Sequence, residues 1–144
     1  MNAGLDSTNH EPREIAPGLT QEWLYDGQVE FFKLTDATRE AIDAWIDATL
    51  ESLIHWPVNR PYYGLVQMST SAAHIIIVNG YARQRIEELM QSFPSISGYH
   101  AILMPRTVMK NVTSFVQRLF EESSRPTQIF FDMDNVFAWL DGQL

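Results

Sequence analysis

Cysteine is absent from all 144 residues, so the chain has no disulfide framework, no thiolate nucleophile and no Cys-based zinc or iron-sulfur site. Basic residues are scarce. Ten Lys and Arg stand against 18 Asp and Glu, a net charge of -8, and a field of that sign repels phosphate backbones and anionic lipid surfaces. Nucleic acid is therefore not an expected partner. Long apolar runs are missing too: Ile75, Ile76, Ile77 and Val78 form one of the short ones, whereas a spanning helix needs roughly 20 apolar residues and a signal peptide about 7 or more. No membrane insertion and a cytoplasmic location are the expectations. Apolar side chains in general are plentiful, at 45% with only 19% charged, which excludes disorder and suits one domain with a core.

Residues 1–20 carry Gly4, Pro12, Pro17 and Gly18 among polar residues without an apolar period. They read as a flexible N-terminal tail, leaving residues 21–144 as the domain. Aromatic and β-branched runs at 22–25 and 28–34 flank Asp26-Gly27, the signal of a hairpin with a two-residue type I′ loop. Thr35 can cap the next helix and Asp36 can charge its first turn. Ile42, Trp45, Ile46, Leu50, Leu53 and Ile54 then give one apolar stripe to about His55, and Pro57 and Pro61 end it.

Residues 62–68 read as a strand. The stretch 69–80 is ambiguous, because its four β-branched residues suit either a strand or a buried helix; the expectation is a loop or short extended piece, then a helix from about Asn79. Residues 100–104 form another strand, 108–122 a helix, and 127–131 a last strand before a short helix capped by Asp132 or Asp134. The order ββαβαβαβα predicts a single α/β domain: a mostly parallel five-stranded sheet with an N-terminal antiparallel hairpin and helices packed on it.

That order, with Gly27-Gln28-Val29-Glu30-Phe31, Leu34-Thr35, the strand Gly98-Tyr99-His100-Ala101-Ile102-Leu103 and the closing Ile129-Phe130-Phe131-Asp132 through Ala138-Trp139-Leu140, resembles the STAS-like superfamily. It is similar to the fold of the sporulation anti-sigma-factor antagonist, in its divergent bacterial branch, over nearly all of residues 22–141. The resemblance implies a domain that works mainly through protein partners and, in some branches, small or lipid-like ligands. Ser69, Thr70 and Ser71 fall at about the place where the antagonists carry a phosphorylatable Ser at a helix start, although the Asp-x-Ser context is missing and Gln67-Met68 precede Ser69. Phosphate there would gain from helix amides and add roughly -1.5 to -2 charge, enough to oppose docking. The plainer role of these hydroxyls is to end a strand and build a turn.

Phe131-Asp132-Met133-Asp134 looks like the nucleophile loop of haloacid-dehalogenase-type phosphatases, in which paired carboxylates share a phosphoryl group and magnesium. Only ten residues follow Asp134, too few to bring a Lys and further acids, so helix capping is the simpler use. His10, His55, His74 and His100 show no i+2 or i+4 pairing and no metal-ligand spacing, and no metal or cofactor is expected. Arg60, Tyr81, Arg83, Arg85 and Arg106 are the basic accumulation; Arg83 with Glu87 and Arg85 with Glu88 have helical pair spacing. Trp45 and Trp139 read as core, while Trp23, Tyr25, Trp56, Tyr62 and Tyr63 near element ends would form a partner patch if exposed together.

No complete catalytic constellation assembles, so the expectation is a non-catalytic binding or regulatory module. It would dock a protein partner through the loop face at Ser69, Thr70 and Ser71 and the second helix, with phosphorylation as a candidate gate, and its acidic, aromatic surface also suits a homodimer. The alternative is a pocket for an anionic metabolite or lipid-like ligand at the carboxyl ends of the strands, lined by Tyr81, Arg83, Arg106 and Asp132.

Overall fold

The computed structural model describes residues 11–108 and 124–144, together with Ser114 and Arg118. Six strands form one sheet: β1 (Arg13–Ala16), β2 (Leu19–Leu24), β3 (Val29–Leu34), β4 (Tyr62–Met68), β5 (Gly98–Leu103) and β6 (Thr127–Phe130). They lie side by side in chain order, β1 to β3 antiparallel and β3 to β6 parallel. The single α/β domain expected from sequence is present, but its sheet is mixed, with two antiparallel pairings rather than one, and has six strands among the described residues rather than five. Residues 13–20 account for the difference. They form β1 and the start of β2, with Ala16 and Leu19 buried, so this part of the expected tail belongs to the sheet.

Helices α1 (Arg39–Ile54), α2 (Thr70–Val78) and α3 (Gly80–Gln91) cover one face of the sheet, and α4 (Met133–Gln143) covers part of the other. The larger core joins Phe32, Val66 and Ile102 of the strands to Ile46, Ile76 and Ile86 of the three helices. Burying each such side chain is worth about 1.5–3 kcal/mol. The smaller core sets Val136 and Leu140 of α4 on Val29, Leu65 and Leu103. β4 alternates between the two, Val66 facing one and Leu65 the other, as a strand covered on both faces must.

Three local expectations are corrected by backbone chemistry. The β2–β3 connection holds four residues, not two: Leu24 pairs with Val29, and Tyr25, Asp26 and Gly27 all have positive φ, closed by the Gln28 amide donating to Leu24 and Tyr25 carbonyls. Thr38, not Thr35, caps α1 by accepting from the Ala41 amide at 3.1 Å; the Thr35 hydroxyl turns instead to the Gly18 carbonyl at 3.2 Å, beside the Thr35 amide at 2.8 Å. Residues 70–78 are helical. Ala72, Ala73 and Ile76 at i, i+1 and i+4 face the core, and Ser69 caps the start, so pattern and cap outweigh the β-branched preference for a strand. Asn79 closes α2 and caps α3 in one residue. The helix expected over 108–122 lies outside the described residues, Val108, Ser114 and Arg118 apart.

Candidate functional site

The carboxyl edge of the parallel strands holds most of the residues singled out from sequence. Ser69 follows β4, and its hydroxyl donates to the Thr35 carbonyl at 2.9 Å while accepting from the Ala72 amide at 3.1 Å. Ser71 is exposed and 3.3 Å from the Ser69 hydroxyl; Thr70 meets Thr107, beyond β5, at 3.1 Å. Loops after β3, β4 and β5 therefore join in one hydroxyl cluster at the start of α2.

The four residues of the alternative pocket do not converge in one constellation. Arg106 and Asp132 stand 4.0 Å apart in an open ion pair, and Asp132 caps α4 by accepting from the Asp134 amide at 2.7 Å. Tyr81 instead bonds to Asp43 of α1, under the guanidinium of Arg39. Arg83 lies one turn into α3, whose Arg85 reaches Asp43, Asp47 and Glu88. The pairs to Asp43 and Asp47 fasten α3 to α1 by roughly a few tenths of a kcal/mol each, while that to Glu88 lies within α3. Of the aromatic residues near element ends, Tyr62 and Tyr63 are buried and leave the expected patch, while Trp23 and Trp56, both half-buried, stack at 6.1 Å.

Inside the larger core lies a polar cluster that sequence reasoning missed. Glu30, Gly64 and His100 sit side by side across β3, β4 and β5. Glycine at 64 leaves a gap, and the Tyr62 ring leans into it: a Cβ on Gly64 would come 2.9 Å from that ring. There the Tyr62 hydroxyl donates to Glu30 Oε1 at 2.7 Å. Gln21 Nε2 and the Ser52 hydroxyl donate to Oε2 at 2.6 and 2.7 Å. Burial pushes the Glu30 carboxyl up from its ordinary range, opposed in part by these three donors. Burial, then the nearby Glu30 charge, push the Tyr62 hydroxyl well above the usual range, so it stays a donor.

On the other side of Tyr62, His100 accepts from Arg125 Nε at 3.3 Å. Burial, helped by the Arg125 charge, lowers its pKa to about 3, so the imidazole is neutral. Arg125 is itself fully buried and donates to the carbonyls of Leu89, Ser92, Phe93 and Ile96 where α3 ends. A cation suits that negative helix end. The signals were present as Glu30 between Val29 and Phe31 and His100 two residues after Gly98.

Buried titratable groups beside a cavity are also what an active site presents. Here the cavity, lined by Phe32, Trp45, Thr49, Tyr62, Leu89 and His100 among others, measures about 10 Å³, room for roughly one water. Among the described residues no three His, Asp or Glu side chains gather as a metal site, and no helix is long and apolar enough to cross a membrane. Compared with protein-family models, curated proteins and solved structures, the chain matches none.

Arg125→Met tests the structural role of this cluster. Three of the four carbonyls keep another donor, from the Ser92 amide, the Ile96 amide and the Ser124 hydroxyl, but the Ser92 carbonyl loses its own. The expected cost is about 3 kcal/mol in urea unfolding, and Arg125→Lys should recover less than half because an ammonium lacks the fork. A midpoint unchanged in Arg125→Met would contradict that role.

Proposed function

We propose that this chain is a STAS-like binding module that acts by docking a protein partner and performs no chemistry of its own. The observation that carries the reading is the hydroxyl cluster of Ser69, Thr70 and Ser71, set at the start of α2 on the carboxyl edge of the sheet and tied to the loops after β3 and β5. A phosphoryl group on Ser71 would meet the positive end of α2 and change the charge of that edge at once. On Ser69 it would also remove the proton that now goes to the Thr35 carbonyl, freeing the approach to α1. The interior supports the non-catalytic part, since the acid and the imidazole there are bonded to neighbours and the space beside them admits no substrate.

Affinity capture from source cells with the wild type and with Ser69, Thr70 and Ser71 all replaced by Asp tests this reading. The expected result is one protein retained by the wild type and lost by a triple variant that still unfolds cooperatively, its melting temperature lowered by the lost Ser69 and Thr70 bonds and partly restored because acidic residues suit a helix start. The opposite pattern is no retained protein together with a melting temperature raised by an anionic metabolite. Ligand at 100 times its Kd would add about 2.7 kcal/mol and favour the pocket at Arg106 and Asp132 instead.

A further inference from the structure

Glu30 is the buried carboxyl group among the described residues, and the groups bonded to it are neutral: Gln21 from β2, Ser52 from α1 and Tyr62 from β4. The nearest cations stop short. Arg13 of β1 ends on Gln21 Oε1 at 2.8 Å, one side chain away, and Arg125 lies beyond Tyr62, bonded to His100 of β5 and to the carbonyls at the end of α3. Thr49 of α1 spends its hydroxyl on the Trp45 carbonyl. An ionised Glu30 is thus a charge held out of water without a bonded counter-charge, which is costly.

The cheapest route to water runs through β1. This strand has four residues, two of them exposed, a slip in register between Glu14 and Ala16, and a single neighbour in the sheet, with Ala16 and the half-buried Ile15 its holds on the larger core. Lifting it uncovers Gln21 and, behind it, the carboxyl. We propose that Glu30 is a proton-operated latch on β1: protonated, it leaves the strand seated; ionised, it favours an open form in which β1 parts from β2 and water reaches the carboxylate. The uncovered edge of β2 is then a template for another strand.

The sign follows from linkage. Hydration in the open form returns Glu30 to its ordinary pKa, so opening releases a proton and grows as pH rises, by up to about tenfold per unit. Burial places this transition above the ordinary carboxyl range. His100, with a pKa of about 3, and Tyr62, pushed upward, keep their protonation through it.

Amide hydrogen exchange of residues 13–21 between pH 4.5 and 8, corrected for intrinsic rates, tests the latch in wild type and Glu30→Gln. Wild type should lose protection there as pH rises while β4 and β5 keep theirs, and Glu30→Gln should show no such trend. Equal pH dependence in the two proteins, or loss shared by all strands, overturns the proposal. Should Glu30→Gln fail to fold, Ser52→Ala removes one donor from the carboxylate. The ¹³C titration midpoint of Glu30 should then move to higher pH, and the loss of protection, starting at the same pH because the hydrated carboxyl of the open form is unchanged, should continue to a higher pH and a greater final extent; a final extent that stays put while the midpoint moves overturns it equally.

Discussion

Gly98→Ala is expected to leave the chain unable to reach its native fold. Gly98 faces Tyr62 in the β4–β5 register, at a φ of +143°, and a Cβ there would lie 1.8 Å from the Tyr62 carbonyl oxygen and 2.6 Å from its nitrogen. No side chain can rotate away from that overlap, because both atoms are backbone. Relief requires β4 and β5 to separate at the point where the Tyr62 amide donates to the Ser97 carbonyl and the Tyr62 hydroxyl reaches Glu30. Backbone overlap combined with strained φ belongs to the class of substitutions that cost more than about 4–5 kcal/mol, against a total stability of roughly 5–15 kcal/mol. Gly142→Ala is the control. Nothing lies within 4 Å of its Cβ position near the end of α4, so it should be neutral or gain up to about 1 kcal/mol. Soluble yield and urea midpoints of the two variants check the contrast, and a near-native midpoint for Gly98→Ala would contradict the packing of β4 against β5.

Acid is expected to weaken the fold through His100. In the unfolded chain this imidazole takes a proton near pH 6.5; in the native chain, buried against Tyr62 and Arg125, it resists protonation down to about pH 3. Between those values the unfolded state binds the extra proton. Stability linked to the neutral ring is therefore complete above pH 6.5 and drains away as pH falls toward 3, by about 5 kcal/mol if the whole interval is traversed. Glu30 works in the opposite sense, its buried carboxyl favouring the folded state as protons are added, so the two interior groups partly offset one another. Urea midpoints at pH 7, 5 and 4 should fall steeply for wild type and more gently for His100→Gln. Parallel slopes would remove His100 from the account.

The parts of this architecture legible in the sequence are those fixed by local repetition. The apolar stripe of α1, the strand at 62–68 suited to cover on both faces and a capping Asp before α4 each depend on residues within a turn or two; the structure bears them out except at Ile54, which is exposed beyond the stripe, and it chooses Asp132 over Asp134 as the cap. Misreadings arose where a distant group takes over a local role. Thr38 rather than Thr35 caps α1 because the helix starts at Arg39, after Gly18, 17 residues earlier, has held Thr35 by its amide and hydroxyl. Residues 13–20 seem structureless alone and become strands only because β3 offers an edge to pair with. The same holds for the sites. Ser69 stood out as a hydroxyl ending the strand 62–68, though its helix was missed, whereas the Glu30 cluster draws on residues 21, 52 and 62, and no spacing rule connects them.

The side-by-side order of the strands has a consequence for how the molecule is made. Each strand pairs with the one just before it in the chain, so a ribosome releasing about 5–20 residues per second always presents a finished edge to the next arrival. Assembly can proceed as a vectorial zipper with no strand waiting for a partner yet to be synthesised, and the clasp of Arg125 on the end of α3 comes near the close, when the preceding layers are already in place.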